Sequence, residues 1–179
     1  MNICKGCTAF GTLVLLAAGC SRSALDNVTK QILNVEMYAA LEIPVGATGS
    51  SYPDWQRYTL TSVAFLNSDD DEALVLFDGS TPQTFRIIDR EQIIYSREIS
   101  DYKGESYRGL VITFDPTIVG SSGGKDDYSC TLADPVLVKL QDFTIEEGKG
   151  MTIKIKTKWR NTISAEGMTP PEYDISIKI

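Results

Sequence analysis

The 179-residue chain contains no histidine. That absence removes the Ser–His and Cys–His arrangements of nucleophilic catalysis, histidine zinc sites, and the commonest general base at neutral pH. It leaves carboxylate and lysine chemistry open. Positive charge is also short, with 17 Lys and Arg against 24 Asp and Glu and a net charge of −7. A nucleic-acid partner needs a basic footprint, so this balance argues against one. No apolar run reaches the roughly 18–20 residues that a membrane-spanning helix needs. Cysteine is scarce: Cys4, Cys7, Cys20 and Cys130 are all there is.

What the N-terminal region does hold is a short apolar run that ends in small residues and a cysteine. Lys5 is followed by the almost wholly apolar or small stretch from Ala9 to Ala18, and Leu13 to Cys20 reads LVLLAAGC. A charged start, an apolar middle of about 7–15 residues and small residues at the cut are the layout of a secretory signal. Ala17, Ala18 and Gly19 directly before Cys20 resemble the lipobox of bacterial lipoproteins, although Ala17 stands where leucine is commoner. The resemblance implies that the chain is cut before Cys20 and that this cysteine carries a diacylglycerol. Ser21, rather than Asp, follows the cysteine; by the same resemblance this favours the outer membrane over retention at the inner one. Two or three acyl chains give stable anchoring, at ~0.8 kcal/mol per buried methylene, so the remainder of the chain can be soluble.

Three consequences follow for the rest of the sequence. Cys4 and Cys7 form a C-x-x-C pair, a spacing found in redox and zinc sites, but both fall in the segment expected to be removed. Cys130 is then the one thiol of the folded domain, and with no histidine to activate it, it reads as a small buried hydrophobe rather than a nucleophile. Losing residues 1–19 takes away a single charge, Lys5, leaving 16 basic against 24 acidic residues, net −8. The expected organisation is a signal peptide over 1–19, the lipidated cysteine and a flexible tether over 20–31, and one domain over 32–179.

Alternation of period two, the signature of a half-buried strand, runs through that domain. Leu33, Val35, Met37, Ala39, Leu41 and Ile43 oppose Asn34, Glu36, Tyr38, Ala40 and Glu42. Tyr58 to Leu66 and Ala73 to Phe77 flank the acidic turn 67–71 and predict a hairpin. Thr84 to Ile88 predicts a short strand, while Gln92 to Ile99 suits a short helix or a strand equally. Tyr107 to Phe114 alternates again, and Gly120 to Asp127 reads as a flexible loop tip. Val136 to Leu140 and Phe143 to Ile145 read as two short strands. Ile153, Ile155, Thr157 and Trp159 oppose Thr152, Lys154, Lys156 and Lys158 in the clearest strand, and Tyr173 to Ile179 closes the chain. Many short alternating runs separated by Gly, Pro and Asp turns predict an all-β fold. The expected architecture is an antiparallel β-sandwich, immunoglobulin- or transthyretin-like, with at most one short helix.

From Tyr58 onward the order of segments resembles a bacterial lipoprotein family known as a domain of unknown function. The matching pieces are Leu60-Thr61-Ser62-Val63-Ala64-Phe65, Pro82 to Ile88, Gly104 to Tyr107 leading into Leu110-Val111-Ile112, Phe143 to Gly148, and Tyr173-Asp174-Ile175. The resemblance implies a β-sandwich on a secreted or lipid-anchored protein. That family tends to carry acids late in its penultimate long strand, where this chain has Thr157-Lys158-Trp159, so no functional residue is carried over. The same pattern is similar to fimbrillin-type lipoproteins, which assemble into surface fibres.

Candidate chemistry is sparse. Asn67, Asp69 and Asp71 resemble the start of a calcium loop, but Glu72 stands where glycine is needed and the ligand-bearing segment is replaced by Leu74 to Phe77. Lys154, Lys156 and Lys158 form a basic row that reads either as an anion contact or as a charged guard on a strand edge. The acid pairs Glu36/Glu42, Glu146/Glu147 and Asp126/Asp127 cannot be placed across a cleft from sequence, so no catalytic residue, metal site or cofactor is assigned. Tyr52, Trp55 and Tyr58, on a Gly/Ser/Pro-rich loop, are the candidate binding residues for a protein or glycan partner, or else a plug at one end of the sandwich. The reading reached from sequence is a non-catalytic, lipid-anchored β-sandwich of the bacterial cell envelope that meets the membrane through Cys20. A surface-assembly subunit and a carboxylate-based hydrolase are its alternatives.

Overall fold

The computed structural model describes residues 30–41, 53–69, 71–122, 125–159, 163–164, 167–168 and 170–179. Among them the chain forms β1 (Ile32–Leu41), β2 (Trp55–Leu66), β3 (Glu72–Phe77), β4 (Gln83–Ile87), β5 (Gln92–Glu98), β6 (Ser106–Phe114) and β7 (Thr117–Ser122). There follow β8 (Lys125–Thr131), β9 (Val136–Thr144), β10 (Met151–Trp159), β11 (Ile163–Ser164), β12 (Gly167–Met168) and β13 (Glu172–Lys178). The helical content described is one 3-10 turn, Ser100–Tyr102. The fold is all-β, two sheets enclosing one principal core.

The larger sheet is organised by β2. Its twelve residues are long enough to carry two strands on each edge: β4 lies against Gln56–Leu60 and β3 against Val63–Leu66 on one side. On the other, β7 lies against Trp55–Arg57 and β6 against Leu60–Leu66. With β8 beside β7 and β9 beside β6, this makes seven strands. The chain passes from β3 to β4 over the uncovered middle of β2, where Gly79 sits at φ 73° with its α-carbon against the Thr61 carbonyl. A side chain there would meet backbone, and L-residues resist that φ, so glycine is required.

The smaller sheet runs β13-β10-β1-β5. β10 pairs parallel to β1, Leu33 opposite Met151 through Leu41 opposite Trp159, which departs from the wholly antiparallel arrangement expected. Parallel neighbours need a long crossover, and here the entire larger sheet is built between β1 and β10 in the chain. β1 and β10 are the two cleanest alternating runs in the sequence because both are interior strands with one face on the core. Leu33, Val35, Met37, Met151, Ile153 and Ile155 are buried, packing toward Tyr58, Leu60, Val63, Phe65, Leu110, Ile112 and Phe114 of the other sheet. Each such side chain contributes roughly 1.5–3 kcal/mol on leaving water. Aromatic rings fill one end, Phe65 lying 4.8 Å from Tyr107 and 5.0 Å from Phe143 between ring centres.

Two local expectations are corrected and one open reading is resolved. Gly120 to Asp127 is not a loop tip throughout, because β7 and β8 pair there with Gly120 opposite Tyr128 and Ser122 opposite Lys125. The two short runs at 136–145 are one strand, β9, with a register shift against β6 between Tyr107 and Gly109. Residues 92–98 are a strand, and a bulge in β5, where Ile94 is the extra residue opposite Val35 and Glu36 of β1, lets the consecutive Ile94 and Tyr95 both turn inward. That broken alternation is why the segment read two ways.

Gln31, expected from the sequence at the end of the tether, packs on the domain. Gln31 is buried: its N–H donates to Ser100 Oγ at 3.0 Å, its carbonyl accepts from the Ile99 N–H at 2.8 Å, and its side-chain amide donates to the Glu146 carbonyl.

Candidate functional site

The N-terminal half of β2 alternates between two environments. Gln56, Tyr58 and Leu60 are fully buried, whereas Trp55, Arg57 and Thr59 face outward and are half-buried. Trp55 and Tyr58 therefore do not share a recognition surface. Tyr58 is a core residue: its ring lies 5.7 Å from that of Phe114, and its hydroxyl donates to Gln56 Oε1 at 2.6 Å. Burial pushes its phenol well above the ordinary tyrosine range, so it stays neutral. Tyr52 and Cys20 lie outside the described residues.

What surrounds Trp55 instead is arginine. In the pairing of β2 with β4, Arg57 stands directly opposite Arg86. The Arg86 guanidinium lies over the Trp55 ring, 4.3 Å from its centre, and that of Arg57 lies 5.8 Å away. One register step further, Thr59 and Thr84 face each other with hydroxyl oxygens 3.0 Å apart. The outer face of this half of the sheet thus carries an aromatic ring, two guanidinium groups and two hydroxyls in line.

Like charges directly opposite across strands oppose pairing, and here the strain is relieved in part by the ring, whose π face attracts both cations. Among the described residues no carboxylate pairs with Arg86. The nearest acid in sequence after β4 that has a partner of its own is Glu91, which accepts from Lys154 Nζ at 2.7 Å. The Gln92 side-chain amide donates to the Arg86 carbonyl, fixing the backbone that carries this guanidinium. Neither Arg57 nor Arg86 is visible as a site residue in sequence. They become one only through the β2–β4 register, and the signal available was that Arg57 shares the parity of Trp55.

The other candidates resolve differently. β10 lies between β1 and β13, so its lysines guard no edge. Lys154 contacts Glu36 at 3.4 Å and Glu91 at 2.7 Å, and Lys158 contacts Asp174 at 2.8 Å. The hydrogen bond to Glu91 raises the Lys154 ammonium, and that from Lys158 lowers the Asp174 carboxyl. The basic row is thereby largely neutralised by acids on neighbouring elements. Asn67 Oδ1 accepts from the N–H groups of Asp69 and Asp71 at 2.9 and 3.0 Å, so it closes the β2–β3 turn. Among the described residues no group of three or more potential metal ligands comes together. Glu146 and Glu147 pair with Lys149 and Lys103 at 2.6 and 3.1 Å; the side chains of Glu42, Asp126 and Asp127 lie outside the described residues. Cys130 is half-buried and free, and burial pushes its thiol up to about 11, which keeps it protonated and poorly nucleophilic at neutral pH.

A second surface feature lies at the far edge of the larger sheet. On β9, Val138 and Leu140 are 53% and 50% exposed and Val136 stands beside them, bordering a shallow depression with Leu66, Glu72 and Val111. Among the described residues β9 pairs with β6 and with no other strand.

No family model, curated protein or solved structure matches the chain. The likeness to lipoprotein families rests on the short segments quoted above.

Proposed function

We propose that this protein is a lipid-anchored, non-catalytic module of the bacterial cell envelope, held at the outer membrane through Cys20, whose β-sandwich binds a protein or glycan partner with the outer face around Trp55. The observation that carries the binding reading is the Trp55 ring, half-exposed on a rigid sheet with two arginines against it. Trp and Arg are the side chains most enriched where binding energy concentrates, and a strand holds them with little entropy left to lose on binding. The anchor rests on the lipobox-like Ala17-Ala18-Gly19-Cys20. Two substitutions separate the halves of the proposal. Cys20→Ala is expected to move the protein from the membrane to the soluble fraction with its thermal unfolding unchanged. Trp55→Ala is expected to leave it membrane-bound and folded but to abolish capture of its partner from envelope extracts. Membrane retention of the first, or undiminished capture by the second, contradicts the corresponding half.

The second reading, a subunit of a surface assembly, is favoured by the exposed Val136, Val138 and Leu140 on β9, whose outer edge pairs with no other strand among the described residues. Edges of this kind are where strands add between chains. It requires concentration-dependent oligomers, whereas the binding module stays monomeric.

A further inference from the structure

We infer that the Trp55 face takes a carboxylate-bearing saccharide, an inference that rests on the proposal that this face is the contact surface. Three observations select the ligand chemistry. First, the chain is acidic overall, with net charge −7, yet β2 and β4 place Arg57 and Arg86 directly opposite each other on one outward face. An anionic group meeting the exposed Arg86 guanidinium on this face gains a charge-assisted contact. Second, the guanidinium of Arg86 is already laid on an aromatic ring at 4.3 Å. A guanidinium held against an aromatic face still has N–H donors for the two oxygens of a carboxylate, and the ring limits the positions the Arg86 side chain samples.

Third, the face continues beyond the cations. Thr59 and Thr84 offer paired hydroxyls at 3.0 Å, able both to donate and to accept. From Trp55 to Thr59 is four residue steps, about 13 Å at the rise of a strand. A small anion uses only the arginines. A sugar chain finds an aromatic edge, two cations and hydroxyl partners in sequence, matching ring faces, carboxylates and ring hydroxyls in turn.

The test uses the purified full-length protein with oligosaccharides built of hexuronic acids, sialylated glycans, the same compounds after reduction of their carboxyls to neutral alcohols, and poly-glutamate. The inference predicts binding of one or more carboxylated saccharides, at least tenfold weaker binding once the carboxyl is reduced, and a similar loss in Arg86→Gln with unchanged thermal unfolding. Arg86→Lys keeps the charge but not the fork, and is expected to recover only part of the affinity. Equal binding of the reduced compounds, lost in Trp55→Ala but not in Arg86→Gln, overturns the carboxylate inference while leaving the contact surface in place. Binding of poly-glutamate without any saccharide overturns it in favour of an acidic protein partner. No binding by any of the probes overturns the saccharide assignment outright.

Discussion

Trp55 and Tyr58, three residues apart on one strand, project to opposite faces of the larger sheet: the first lies under an arginine at the surface, the second is sealed in the core. The two tryptophans of the chain divide in the same way, since Trp159 is 2% exposed. Iodide, drawn by Arg57 and Arg86, is expected to quench about half of the steady-state tryptophan emission, and caesium far less. Trp55→Phe is expected to leave only emission that neither ion reaches. Equal quenching by the two ions would contradict the cationic surroundings assigned to Trp55.

Tyr58→Phe removes the donor that satisfies Gln56 Oε1, and leaves a buried acceptor behind. Such a loss costs about 1–3 kcal/mol, so a lowered melting temperature is expected, with ligand binding at the Trp55 face unaffected. A neutral effect on stability would mean that the bond is not made in solution.

Gly79→Ala is expected to destabilise by at least ~1–2 kcal/mol, the cost of a left-handed conformation alone, and more if the turn shifts away from Thr61. Chemical denaturation reads this directly. Because the turn joins β3 to β4, the same substitution should weaken the β4 register and with it binding through Arg86.

The pH profile should be one-sided near neutrality. With no histidine in the chain, no side chain of ordinary affinity titrates between about pH 6 and 8. On the alkaline side, burial raises the thiol of Cys130 to about 11 and the phenols of Tyr58, Tyr107 and Tyr173 above their ordinary value. The unfolded chain then loses these protons at lower pH than the folded one, so stability falls as pH rises. Thermal unfolding measured from pH 6 to 11 should be flat to about pH 8.5 and decline beyond it. Cys130→Ser should delay the onset toward the tyrosine range.

The pattern of the sequence was informative in proportion to how one-sided each strand's surroundings are. β1 and β10 were legible because each has one face on the core and one on solvent, and so was the β2–β3 hairpin, with Asn67 at its turn. β5 was not, because its bulge at Ile94 turns two successive residues inward. The parallel pairing of β1 with β10 is a relationship across more than a hundred residues, and alternation within a strand carries no information about its neighbour. The site shows the same limit. Proximity in sequence groups Tyr58 with Trp55, whereas parity separates them. Arg86 joins Trp55 only because β4 returns along β2.

The Trp55 face is the one expected to meet a partner, and crosslinking tests this most directly. A photoreactive residue at Thr84, exposed on that face, should form an adduct with a saccharide or protein in intact envelopes, and the adduct should vanish in Trp55→Ala. The same residue at Ser176, exposed on the outer face of the smaller sheet, should form none. Adducts from Ser176 alone, or the same adducts from both positions, would contradict the assignment.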